Sequence, residues 1–216
     1  VSQDSKLQKS VLAELEWEPS VVAAHLGVTA NEGVVALTGH VDTYPQKHAA
    51  EMAVRRVKGV LAVADEIEVR LPAESARSDE SIAAAAIERL SWDSTIPADA
   101  VQVTVQDGWV TLSGTVDWYY QKDAAQIAIR SLTGVTGVSN QVSIKPRVDT
   151  AGLSDTIVHA LHRSWFFDPK AIHVTATGGV VRLTGRVHTP HERDVAAAAA
   201  WAAPGAVYVE NDIRIA

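Results

Sequence analysis

No cysteine occurs among the 216 residues, which excludes disulfides, thiolate zinc sites and cysteine nucleophiles together. Basic residues are also scarce: 19 Lys and Arg stand against 26 Asp and Glu, a formal charge of −7. General nucleic-acid affinity needs a basic footprint and is excluded on that ground, while attraction to an anionic membrane is confined to local patches. No apolar run approaches the roughly 18 residues of a transmembrane helix. No phosphate loop, dinucleotide fingerprint or H-E-x-x-H helix is present. The opening stretch VSQDSKLQKSVLAEL is polar and leads straight into an amphipathic pattern, which is not the order of a signal peptide; it favours the cytoplasm if Val1 follows an initiator Met, with the periplasm as the alternative if a signal peptide was removed.

What the chain has is repetition. GVVALTGHV, GWVTLSGTV and GVVRLTGRV begin at Gly33, Gly108 and Gly179, at offsets of 75 and 71. The same offsets relate Gly39, Gly114 and Gly185, and again Gly59, Gly134 and Gly205. Self-similarity over so many positions divides the chain into three homologous units, 1–72, 73–147 and 148–216. Leu7, Ile82 and Ile157 keep a spacing of 75, as do Trp17, Trp92 and Phe167. The third unit has therefore lost four residues after its first helix, between Pro169 and Ile172. LPAESARSD and KPRVDTAGLSD carry the Pro, Ser and Ala of exposed connections.

Each unit gives the same forecast. Apolar residues four apart (Leu7, Val11, Leu15; Ile82, Ala86, Leu90; Ile157, Leu161, Trp165) mark an amphipathic helix. An alternating strand such as VQVTV, a Gly-containing turn and a second strand make a β-hairpin. An Ala-rich helix follows, stopped by a glycine, and a last strand closes the unit. The class is α+β: three αββαβ units, each a three-stranded mixed sheet with two helices on one face. The third strand runs parallel to the second through a crossover. A unit of about 70 residues with one helical layer has a marginal core and leaves a sheet face and its edges open.

The recurring G-V-V-x-L-T-G-x-V, the Ala-rich helix and V-x-G-V-x-x-V-x-N/D-x-[IV] resemble the BON domain, over essentially the whole chain. The third unit departs where APGAVYVENDI replaces the V-x-G-V start. The resemblance implies no catalytic activity and no cofactor. It implies a binding role towards phospholipid surfaces and partner proteins under osmotic or envelope stress, and a periplasmic setting. It supplies no catalytic residues. Gly39, Gly114, Gly185, Gly59, Gly134 and Gly205 match its pattern as backbone devices, where a side chain would clash or a positive φ is needed.

Candidate chemistry is thin. Five of the eight histidines lie in the third unit, and His159 with His162, or His188 with His191, have the spacing of two ligands on one metal. None of these four has a histidine counterpart in the other units, so helix and turn surface is the preferred reading. HERD, from His191 to Asp194, lies where the sister units have PQKH and YQKD, ordinary first-turn residues. Arg55, Arg56 and Lys58 suit a helix C-terminus. The first unit carries −3, the second −4 and the third zero, with Arg147 and Asp149 cancelling in the linker. The chain is read as a non-enzyme.

Aromatics give the candidate contact residues. Trp118 replaces Thr43 and Thr189 of the sister units, and Tyr120 replaces Pro45 and His191. Tyr119 corresponds to Tyr44 and Pro190 and is expected to pack on its own unit. Trp201 stands where Arg55 and Arg130 occur, on the outer side of the second helix. Such residues are enriched at protein interfaces and membrane boundaries. A neighbouring unit, a second copy of the chain, and a membrane or small ligand all remain open as the covering partner. The expectation is association with an anionic phospholipid surface through Trp118, Tyr119, Tyr120 and Trp201, with a self-assembling homo-oligomeric scaffold as the alternative.

Overall fold

The computed structural model describes residues 3–146, 152–163 and 171–215. Phe167, Trp165, the four-residue deletion and the linker pair Arg147 and Asp149 lie wholly or partly outside them. In the first unit, α1 (Gln3–Trp17) precedes β1 (Leu26–Asn31), β2 (Val34–Val41), α2 (Tyr44–Arg55) and β3 (Ala62–Val69). The second unit follows with α3 (Asp79–Trp92), β4 (Val101–Gln106), β5 (Trp109–Val116), α4 (Tyr119–Arg130) and a last strand in two pieces, β6 (Gly137–Asn140) and β7 (Ser143–Ile144). The third has α5 (Leu153–His162), β8 (Ile172–Thr177), β9 (Val180–Val187), α6 (Pro190–Trp201) and β10 (Tyr208–Ile215). This is α+β architecture, three αββαβ units in tandem.

In every unit the middle strand pairs antiparallel with the hairpin partner and parallel with the strand that returns from the crossover helix. Alternation assigns the faces: Val35 and Leu37, Val110 and Leu112, and Val181 and Leu183 are buried beneath the helices. The first helices add the four-spaced stripes Leu7, Val11, Leu15, then Ile82, Ala86, Leu90, then Leu153, Ile157, Leu161. The buried residues form three separate cores, one per unit. Among the described residues, the opposite sheet faces carry no helix.

One glycine position is fixed by contact. Gly39, Gly114 and Gly185 sit on the middle strand with φ of +110°, +121° and +140°. A Cβ there would drive into the carbonyl oxygen of His25, Ala100 or Ala171, on the loop that enters the first strand. In the second and third units that oxygen accepts a hydrogen bond from the next N–H, Thr115 or Arg186, each at 3.1 Å. Only glycine lets the loop lie so close.

The units are not beads on a string. Tyr44, at the start of α2, packs against the core of the second unit. Tyr119, at the start of α4, stacks on Trp201 at the end of α6. Asp194, in the second turn of α6, pairs with Arg55 at the end of α2. Each seam joins the start of one second helix to the next unit, and the third returns to the first. Head-to-tail contacts that close after three steps make a ring, here within one chain.

Candidate functional site: aromatics on and between the ring seams

The seams are built from corresponding positions that carry different chemistry. Tyr119 and Trp201 lie nearly parallel, ring centroids 4.9 Å apart and planes 15° apart, in the range of favourable offset stacking. Arg55 meets Asp194 in a bidentate fork, Nε to Oδ2 and Nη2 to Oδ1 both at 3.0 Å, while its third nitrogen reaches Glu51 Oε1 at 3.1 Å. Burial pulls the Arg55 pKa down, but the Asp194 hydrogen bonds and charge, with Glu51, outweigh it and hold it above the ordinary value. At the remaining seam Tyr44 lies beside the Val138 backbone, and its hydroxyl pKa is raised chiefly by burial. His48, half-buried, occupies the helix position of Asp123 and Asp194. Its pKa is lowered by burial first, then by Arg130 and Arg55, against an opposing Glu51. The phenol of Tyr119 is raised by burial and by Asp123 and Asp194. Residues of all three units thus share one electrostatic neighbourhood near the ring centre.

Of the four aromatics singled out in the sequence, Tyr119 and Trp201 cover each other between the second and third units. Tyr119 also packs on its own core, as does Trp201 from across the seam. Trp118 and Tyr120 form a second, looser pair at the start of α4, centroids 6.4 Å apart, and Tyr120 stays 55% exposed. Trp118 has a local cost. In the sister helices Thr43 and Thr189 cap the N-terminus by accepting from Gln46 and Glu192 N–H. An indole has no acceptor for that bond, and α4 has no side-chain cap from Trp118. Gln121 keeps the reciprocal half of the cap, its carbonyl oxygen accepting from Asp117 and Trp118 N–H at 3.0 Å each, as Gln46 accepts from Asp42 and Glu192 from His188 in the sister helices.

With three repeats of this fold and its glycine contacts established, comparison with known proteins has a definite outcome: the BON-domain profile matches residues 3–70, 78–146 and 149–216. The chain belongs to the BON-domain family. Osmotically-inducible protein Y of Escherichia coli (strain K12) is 30% identical over 146 residues, 66% of this chain and 73% of that protein. Among solved structures, CdsD, a structural protein of the type III secretion system of Chlamydia trachomatis, is 18% identical, with 98% of this chain and 92% of that chain covered and a TM-score of 0.27. Its C-terminal domain gives the same identity and score with both chains fully covered. At that score neither match says anything further about this chain.

Two further tryptophans are more exposed than the aromatics chosen from the sequence. Trp17 and Trp92 end the first helices of the first two BON units and are 83% and 80% exposed. The sequence used them only to fix the repeat register. Their signal was available: Trp17 and Trp92 fall off the buried stripes that end at Leu15 and Leu90, yet the aromatic recurs. Among the described residues no group of three His, Asp or Glu is placed to hold a metal ion. No described helix is long and apolar enough to cross a membrane.

Proposed function

We propose that this BON-domain protein is a non-catalytic, stress-related bacterial protein that associates with phospholipid surfaces through exposed tryptophans. The observation that carries the proposal is the pair Trp17 and Trp92, nearly fully exposed at corresponding helix ends. An exposed indole is poorly satisfied in water and well satisfied at the membrane–water boundary, where its ring is buried and its N–H stays wet. Burying about 80 Å² of each ring is worth about 2 kcal/mol at ~25 cal/mol/Å². Two such sites on one chain add avidity without new contacts. Of the acidic residues near Trp17, Glu14 and Glu18 are paired with Arg56 at 3.1 and 3.3 Å, which reduces the negative charge beside the indole. Family membership and the osmotically inducible relative support the stress setting. Trp118 and Tyr120 are secondary contact candidates.

The test is flotation with vesicles of phosphatidylcholine, alone and mixed with phosphatidylglycerol. The wild-type chain is expected to float with at least one of them, and Trp17→Ala/Trp92→Ala to lose most of that binding. A wild-type chain that stays in the dense fraction with both, or a double variant that floats equally well, would remove the proposal. A self-assembling scaffold is the second reading, favoured by Val34, Trp109 and Val180, each exposed at the same place on its open sheet. A monomeric mass by light scattering at tens of micromolar would dismiss it.

A further inference from the structure

The three open sheet faces share a backbone and differ in chemistry. In the first unit the face includes Glu66 and Glu68; in the third it includes Arg182, Arg186, Arg214, Glu210 and Asp212. In the second unit the outward positions of β4 are Gln102, Thr104 and Gln106, and those of β5 are Trp109, Thr111, Ser113 and Thr115. The last strand adds Gly137, Ser139 and Ser143 by its register with β5, and Gln141 between them, whose amide nitrogen donates to Ser139 Oγ at 3.4 Å. None of these strand positions is ionisable, in a chain of 21% charged residues; Asp107 stands in the hairpin turn at one end, and Lys145 and Asp117, paired at 3.2 Å, follow the strands at the other.

Trp109 is seated on that face. It pairs with Gly137, and a Cβ at Gly137 would fall within the indole itself, so the six-membered ring rests directly on the strand backbone. The sister units have Ala62 and Tyr208 at the glycine position and Val34 and Val180 at the tryptophan position. The indole remains 50% exposed, beside an open cleft of about 430 Å³ lined by Thr104, Gln106, Thr111 and Thr136 with Asp107 at its rim. Gln102, Thr104, Gln106, Thr111 and Ser113 hold no side-chain hydrogen bond among the described residues, so their donors and acceptors face solvent.

We infer that the open face of the second unit is a binding site for a neutral glycan. A pyranose presents an apolar face of C–H groups and a rim of hydroxyls. A ring lying on a sheet supplies the flat apolar partner, and uncharged amides and hydroxyls supply matched donors and acceptors. Ligand sites combine these two features: an aromatic platform and a few convergent polar groups. Trp109 to Thr115 spans about 20 Å at ~3.3 Å per residue, the length of a short oligosaccharide. Phosphorylated, sulfated or nucleic-acid ligands gain little here, because the strand positions carry no cation and Lys145 beyond them is already paired with Asp117.

The experiment is native gel electrophoresis of the full chain in gels cast with dextran, laminarin or hydroxyethyl cellulose, beside a gel without polysaccharide. At least one polymer is expected to slow the wild-type chain by half or more. Trp109→Ala should restore free mobility, and Thr104→Glu, which puts a charge on the face without touching the indole's seat, should restore most of it. Trp17→Ala/Trp92→Ala should be slowed like wild type, which separates this site from the proposed lipid contacts. Unretarded migration in all three gels, or equal retardation of the Trp109 and Thr104 variants, overturns the inference. A dimer that depends on Trp109, without any retardation, overturns it in favour of contact between copies.

Discussion

Cutting the seam between the first and third units is the sharpest probe of the ring. Arg55 and Asp194 are 139 residues apart in sequence and meet through two 3.0 Å bonds, with side chains 23% and 36% exposed. Opposite charges about 4 Å apart attract by about 4 kcal/mol at an effective dielectric near 20. Partial exposure, desolvation of the guanidinium and the entropy of holding both side chains reduce the net value to about 1–2 kcal/mol. Bidentate geometry and the supporting Glu51 keep it at the upper end for a part-exposed pair. Arg55→Ala, Asp194→Ala and the double variant complete a cycle in which only the pair term is non-additive. Urea unfolding of the four proteins should give a coupling of about 1–2 kcal/mol, falling when salt is raised to about 1 M. A coupling below about 0.3 kcal/mol, unchanged by salt, would mean that the third unit does not return to the first.

Gly114→Ala should destabilise the second unit by about 3 kcal/mol or more, because strain at φ +121° adds to the collision with the Ala100 carbonyl; an unchanged urea midpoint would contradict the contact. For His48 the lowered folded pKa means that the unfolded chain takes up a proton first as pH falls. Stability should therefore decline below about pH 6.5, the unfolded value, and His48→Gln should remove that part of the slope. His48→Asp places beside Arg130 the carboxylate that Asp123 and Asp194 carry at the same helix position, with an expected gain of about 1 kcal/mol at pH 7; a loss would show that Arg130 is not its neighbour. Trp118→Thr restores the cap of the sister helices and should stabilise the second unit by about 1 kcal/mol, read as a rise in the urea midpoint; no rise would mean the indole compensates for the missing cap.

The units themselves were legible in the sequence because their determinants are local or periodic. Alternation fixes Val110 and Leu112 inward, four-residue spacing fixes Ile82, Ala86 and Leu90, and the repeated glycine marks a backbone position that a side chain would not fit. The ring was not legible, because its three seams use corresponding positions with different partners: a tyrosine on a foreign core, a stacked aromatic pair and an ion pair. Arg55 looked like a solvated helix end until Asp194 was found opposite it. Trp201 reads from the sequence as lying on the outer side of its helix, but the sequence could not say that Tyr119 lies over it. The Trp109 platform depends on a glycine across the sheet, a relation visible only once strand register is known.

The most direct test of surface association is quenching of tryptophan fluorescence by vesicles whose phospholipids carry bromine high on the acyl chain. The account predicts a clear loss of emission for the wild-type chain and little for Trp17→Ala/Trp92→Ala. Equal quenching of both proteins, or none in either, would contradict it.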